Sequence, residues 1–132
     1  EKFKFSELQR IDEAIAISSM SIARNMNIKA IIALTESGST ALMMSRIRSD
    51  IPIYAFTRNE YTQRRVSLYR GVTSYPYKFI ANTFSEVLSE VTKELLQSEM
   101  VRAGDLVLIT SGFPLKVEGF TNSLRIIEIN NG

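Results

Sequence analysis

From Phe5 to Asn25 the apolar positions Leu8, Ile11, Ile15 and Ile22, continued by Met26, are spaced by three and four residues or their sums, which predicts an amphipathic helix. Ser6 with Gln9 has capping-box spacing at its start, and Asn25, Met26 and Asn27 mark its end. The period then changes. Ile31, Ile32 and Leu34 stand in a strand from Lys29 to Leu34 whose residues after the lysine are all apolar, the mark of a strand buried on both faces. A polar turn, Thr35 to Thr40, leads into a helix from about Ser39 to Arg48 that must stop before Pro52. Ile51 to Thr57 reads as a second strand, and Thr57 to Glu60 as a capping box opening a helix to about Tyr69, with Gly71 as a left-handed end. Val72 to Phe79 is a third strand, reduced to a short or edge strand by Pro76.

Thr83 with Glu86 opens a helix running to Met100, with Phe84, Val87, Leu88, Val91 and Leu95 on one face. Gly104 and Asp105 turn the chain into a fourth strand, Leu106 to Thr110. A loop from Ser111 to Phe120 leads without a helix to a fifth, Leu124 to Ile129. The order α-β-α-β-α-β-α-β-β predicts an α/β fold of three α/β/α layers. Its five-stranded sheet is mainly parallel, with the last strand antiparallel to its neighbour.

Composition narrows the picture. A chain of 132 residues fits one domain spanning 1–132 with one core, burying roughly two-thirds of its unfolded surface. No apolar run approaches the roughly 20 residues of a membrane span, so a soluble protein without a membrane partner is expected. A net charge of +2, with the basic residues scattered, favours a small anionic ligand over nucleic acid. There is no cysteine and no histidine, which removes disulfides, thiolate or imidazole metal sites, Ser-His-Asp triads and Cys-His pairs. Neither a P-loop nor a G-x-G-x-x-G string is present. The carboxylates Glu7, Asp12, Glu13, Glu60, Glu86, Glu90, Glu94 and Glu99 are expected mostly at helix starts or on solvent faces, so nothing demands an enzyme. The chain opens on Glu1 with no signal-like segment; a piece of a larger, cytoplasmic protein is expected.

The turn after the first strand carries the candidate chemistry. Thr35, Ser37, Ser39 and Thr40 present four hydroxyls around Gly38, beside a helix start whose unpaired N–H groups attract anions, so a phosphate fits there. The alternative is that Ser37 or Ser39 only caps the helix. Glu36, in the same turn, opposes an anion and is a poor ligand through its side chain.

Five segments in order, Ala33-Leu-Thr-Glu-Ser-Gly-Ser-Thr-Ala41, Pro52-Ile-Tyr-Ala-Phe-Thr-Arg-Asn59, Leu68-Tyr-Arg-Gly-Val72, Gly104-Asp-Leu-Val-Leu-Ile-Thr-Ser-Gly112 and Gly119-Phe-Thr-Asn122, resemble the C-terminal domain of pyruvate kinase. The resemblance covers essentially the whole chain. It implies that the active site, which transfers phosphate from phosphoenolpyruvate to ADP with magnesium and potassium, lies in barrel and lid domains absent here. This segment would then hold no catalytic residue, metal or cofactor. It would be a regulatory and assembly module of a homotetramer in glycolysis, partnered by its own barrel domain.

The resemblance also implies an effector site on Thr35, Glu36, Ser37, Gly38, Ser39 and Thr40, with the phosphate on the hydroxyls of Thr35, Ser37 and Thr40 and nearby N–H groups. A loop, Gly112 to Phe120, would close over it with Lys116, Gly119 and Phe120; Lys116 meets the ligand or is simply a solvated loop lysine. Animal members that take fructose bisphosphate have a lysine where Glu36 stands, and a tryptophan and an arginine near the place of Ile80-Ala-Asn82. Without those, a sugar monophosphate or AMP is the expected effector, as in bacterial members with this turn. The last strand would pair with its symmetry mate. The competing readings are a purely structural tetramerisation domain, whose turn is a capped connection, and an independent small enzyme, opposed by the lack of any nucleophile–base pair.

Overall fold

A computed structural model describes residues 5–47, 49–77, 83–112 and 121–130. Its elements are α1 (Phe5–Asn25), β1 (Ile28–Leu34), α2 (Ser39–Ser45), β2 (Ile53–Thr57), α3 (Glu60–Val66), β3 (Val72–Pro76), α4 (Phe84–Gln97), β4 (Leu106–Ser111) and β5 (Ser123–Glu128). The strands form one five-stranded sheet in the order β3-β2-β1-β4-β5. β1 pairs parallel with β2 and β4, β2 pairs parallel with β3, and β5 runs antiparallel to β4. The predicted α/β architecture and its antiparallel last strand are present.

Two apolar layers flank the sheet. On one face Ile31, Ala33, Ile53, Ala55 and Leu108 meet Ala16, Met20 and Ala23 of α1, Ala41 and Met44 of α2 and Val66 of α3. On the other, Ala30, Ile32, Phe56, Val107 and Ile109 meet Val87, Val91 and Leu95 of α4. Successive residues of β1 therefore serve opposite layers, which is why its run is continuously apolar. Each fully buried Leu or Ile contributes about 1.5–3 kcal/mol relative to exposure.

α1 differs from its predicted face. The buried positions are Asp12, Ala16, Ser19, Met20 and Ala23, while Ile11, Ile15 and Ile22 are half-buried and Ile17 and Met26 exposed. Small side chains let the helix lie close to the sheet and α2, and the larger isoleucines flank that contact. Asp12 is buried, which corrects its expected solvent position.

Helix ends are also shifted. α2 closes at Ser45 and not Arg48, with the Arg46 and Ile47 N–H groups bonded to the Leu42 and Met44 carbonyls. The N-cap of α3 is Asn59, whose side chain accepts from the Thr62 N–H at 3.1 Å; Thr57 instead accepts from the Asn59 N–H at 3.2 Å. α3 ends at Val66 because Leu68 and Tyr69 bond back three residues, to the Arg65 and Val66 carbonyls, a tightened turn that delivers the chain to Gly71 at φ +74°. α4 has Thr83 as its N-cap, as predicted, its hydroxyl accepting from the Glu86 N–H at 3.2 Å; the Glu86 carboxylate accepts from that hydroxyl at 2.8 Å and not from the Thr83 N–H, so the reciprocal half of the capping box is not formed. β3 is an edge strand ending at Pro76, as a proline there requires. The expected capping box at Ser6 and Gln9 and the segment Ile80 to Asn82 lie outside the described residues and side chains.

Candidate anion-binding site

From β1 the strands advance through β2 to β3 on one side, and α4 then carries the chain over the opposite face to β4 on the other side of β1. Strand order thus reverses between the neighbouring parallel strands β1 and β4, and open α/β sheets bind ligands at the carboxyl ends of the strands at such a switch point. The Thr35 to Thr40 turn leaves β1 there, and Gly112 follows β4 at the same end.

Local bonds hold the turn in shape. The Thr35 N–H donates to the Phe56 carbonyl at 3.0 Å, tying the end of β1 to β2. The Thr35 hydroxyl accepts from the Gly38 N–H at 2.8 Å, and the Ser37 hydroxyl accepts from the Ser39 N–H at 3.2 Å. α3 supports the turn from its side: the Thr62 hydroxyl donates to the Glu36 carbonyl at 2.8 Å, and the Arg65 guanidinium donates to the Ser37 carbonyl. Gly38 is the N-cap of α2 at φ +80°, with no side-chain cap. A Cβ on it would come within 2.6 Å of Val66 Cγ1 and 3.3 Å of Thr62 Cγ2, so both the backbone sign and the space demand glycine. Neither Ser37 nor Ser39 is the N-cap.

The six turn residues divide by exposure. Glu36 and Ser37 are exposed and Thr35 and Ser39 are half-buried, whereas Gly38 and Thr40 are buried. The Thr40 hydroxyl points inward and donates to Thr121 Oγ1 at 2.7 Å, a bond that ties the start of α2 to the chain entering β5. The surface of the turn therefore offers the hydroxyls of Thr35, Ser37 and Ser39 and the N–H groups they guard. Arg65 is the cation that the fold brings to the turn through a direct bond. Lys116, Gly119 and Phe120 lie outside the described residues. Among the described residues no group of acidic side chains could hold a metal ion, and no helix is long and apolar enough to cross a membrane.

Two participants escaped the sequence reading. Arg65 follows Thr62 by three residues, and that helical spacing was the available signal once Thr62 is known to face the turn. Asp12 lies four residues before the buried Ala16 and eight before Met20, so its placement follows from the small-residue face of α1. Burial pushes its carboxyl up from the ordinary 3.8 to about 6, opposed by hydrogen bonding from the Thr121 backbone and from Ser39 and Thr40.

Residues 13–127 match the protein family described as pyruvate kinase, alpha/beta domain. A pyruvate kinase of Buchnera aphidicola subsp. Acyrthosiphon pisum is 42% identical over 120 residues, 90% of this chain and 25% of the relative. Pyruvate kinase II of Salmonella typhimurium is 40% identical over 125 residues, 93% of the chain and 26% of the relative. A pyruvate kinase of Clostridium perfringens is 33% identical over 117 residues, 89% of the chain and 24% of the relative. The chain spans about a quarter of the length of these relatives. With a family match over most of its length and the corresponding mixed α/β sheet, the chain belongs to the pyruvate kinase alpha/beta-domain family.

Proposed function

We propose that this chain is the regulatory and assembly part of a pyruvate kinase, and that the Thr35 to Thr40 turn receives the phosphate of a sugar monophosphate or AMP. The observation that carries the reading is the position of the turn: a hydroxyl-rich connection at the switch point, entering a helix through a left-handed glycine. The Gly38 and Ser39 N–H groups are held by the hydroxyls of Thr35 and Ser37, which an anion's oxygens would replace as acceptors. Thr35, Ser37 and Ser39 then bind by side chain, and Thr40 serves from inside by fixing the start of α2. One guanidinium against the carboxylate of Glu36 favours a ligand with one phosphate over one with two. Phosphoryl transfer from phosphoenolpyruvate to ADP, with magnesium and potassium, belongs in this reading to the barrel and lid domains of the parent enzyme.

Thermal unfolding tests it. Saturation with ribose 5-phosphate, glucose 6-phosphate or AMP is expected to raise Tm, since ligand at about a hundred times its Kd contributes about 2.7 kcal/mol. A rise with fructose 1,6-bisphosphate and with none of the three would refute the monophosphate assignment.

A second reading, assembly without an effector, has its own observations. The turn's hydrogen bonds are internally satisfied at Thr35 and Thr40, and β5 forms an edge of the sheet with Leu124, Ile126 and Ile127 only half-buried. The two readings are compatible in one chain; loss of ligand binding in a Thr35→Ala, Ser37→Ala variant with assembly intact favours the first.

A further inference from the structure

Asp12 is the only ionisable side chain among the buried ones of the described residues, at 2% exposure. Its carboxyl lies where α1, the first turn of α2 and the chain entering β5 meet, against Ser39, Thr40 and the Thr121 backbone. The Thr121 amide and the Ser39 and Thr40 hydroxyls face the carboxylate, and the Thr40 hydroxyl directs its one proton to Thr121 Oγ1 at 2.7 Å. Its Oδ1 has no hydrogen-bond partner, and Thr110 Oγ1 of β4 is likewise buried and unpartnered. A buried carboxylate this poorly served is a costly place for a full negative charge.

We propose that Asp12 couples protonation to anion binding at the Thr35 to Thr40 turn, so that the chain takes up a proton when a phosphate or sulfate ester binds. The inference rests on the reading of that turn as the anion site. Asp12 touches Ser39 and Thr40 from beneath, and an ester on the same turn brings a second negative charge to residues whose environment is partly shielded from water. Like charges at close range in a medium less polar than water repel strongly, and protonating Asp12 removes the repulsion. By linkage the effect is reciprocal: the anion raises the proton affinity of Asp12, and the proton raises affinity for the anion.

The surroundings leave Asp12 as the group that answers. Its neighbours on α2 and before β5 are hydroxyls and an amide, and α2 carries no charged residue from Ser39 to Ser45. On α1 the adjacent ionisable residues in sequence, Arg10 and Glu13, are exposed, as are Glu36 in the turn and Arg65 on α3. A carboxyl titrating at about 6 changes state close to neutral pH.

Calorimetric titration of the chain and of its Asp12→Asn variant with glucose 6-phosphate and with glucose 6-sulfate, in two buffers of different ionisation enthalpy, tests the coupling. The difference in protons taken up between the two proteins cancels the titration of the ligand itself. Wild type should take up a fraction of a proton more than the variant near pH ~6. Its affinity for the sulfate ester, whose charge is constant, should be about fivefold weaker at pH ~7.5 than at ~5.5, and the variant's unchanged. Should the variant fail to fold, wild type with glucose 6-sulfate is enough: proton uptake on binding supports the coupling, and binding without it overturns the coupling. Binding with equal proton counts in the two proteins overturns the coupling and leaves the effector site standing. Where neither glucose ester binds, the same proton count is taken with ribose 5-phosphate and AMP, and failure of all four ligands to bind overturns both.

Discussion

Alanine at Gly38 would have to adopt φ +80° with its Cβ 2.6 Å from Val66 Cγ1, on a β-branched side chain that has little freedom to turn away. The left-handed backbone and the overpacking together predict that Gly38→Ala costs about 2–4 kcal/mol, read as a lower urea midpoint at unchanged m-value. The glycine was legible as part of a hydroxyl-rich turn, but its steric constraint was not, because the neighbour that forbids a side chain comes from α3, 28 residues later in the chain. Asp12 was misread for a related reason. A carboxylate on an amphipathic helix is ordinarily on its wet face, and only the close packing of α1 through Ala16, Ser19 and Ala23 turns Asp12 inward. Because burial raises its folded value above the unfolded one, Asp12 favours folding below its ordinary 3.8, and that contribution is lost as pH rises through about 6. Asp12→Asn should therefore stabilise the chain by ~1–2 kcal/mol at pH ~8 and leave it nearly unchanged at pH ~4. Chemical unfolding of both proteins at the two values checks the sign, and a variant less stable at high pH would contradict it.

The elements were legible where one physical signal governed them. α4 combines a Thr83 N-cap with Val87, Val91 and Leu95 at intervals of four, all three at 0% exposure. Its energetics should follow: Leu95→Ala is expected to cost about 2–5 kcal/mol through lost burial and a cavity, and Thr83→Ala about 1 kcal/mol through the unpaired first-turn N–H. Thermal or urea unfolding of the two variants gives the comparison, and a Thr83 effect equal to that of Leu95 would mean that α4 depends on its cap as much as on its packing. The ends of α2 and α3 were less legible, because their last residues leave the α geometry through short backbone turns that no side chain announces. The N-cap of α3 fell two residues later than the capping-box spacing suggested, since Asn59 and Thr57 are both capable caps and the chain uses Thr57 to bind the Asn59 N–H.

For the molecule as a whole, alternation of strands and helices gave the class, yet the strand order β3-β2-β1-β4-β5 could not be read from it, because crossover handedness does not say on which side of β1 the chain will place β4. That order is what places the Thr35 to Thr40 turn at the switch point instead of making it one connection among several. The same order leaves β5 at an edge, and the proposed assembly predicts that the chain sediments as a dimer or larger species at high micromolar concentration; a monomer throughout would remove β5 from that role. The central claim, that the turn binds a monophosphate, meets its most direct test in isothermal titration of the chain and of its Thr35→Ala, Ser37→Ala variant with glucose 6-phosphate, ribose 5-phosphate and AMP. The account predicts saturable binding of at least one of the three by the chain, lost in a variant that remains folded. Binding that persists unchanged in that variant, or none by the folded chain, would contradict it.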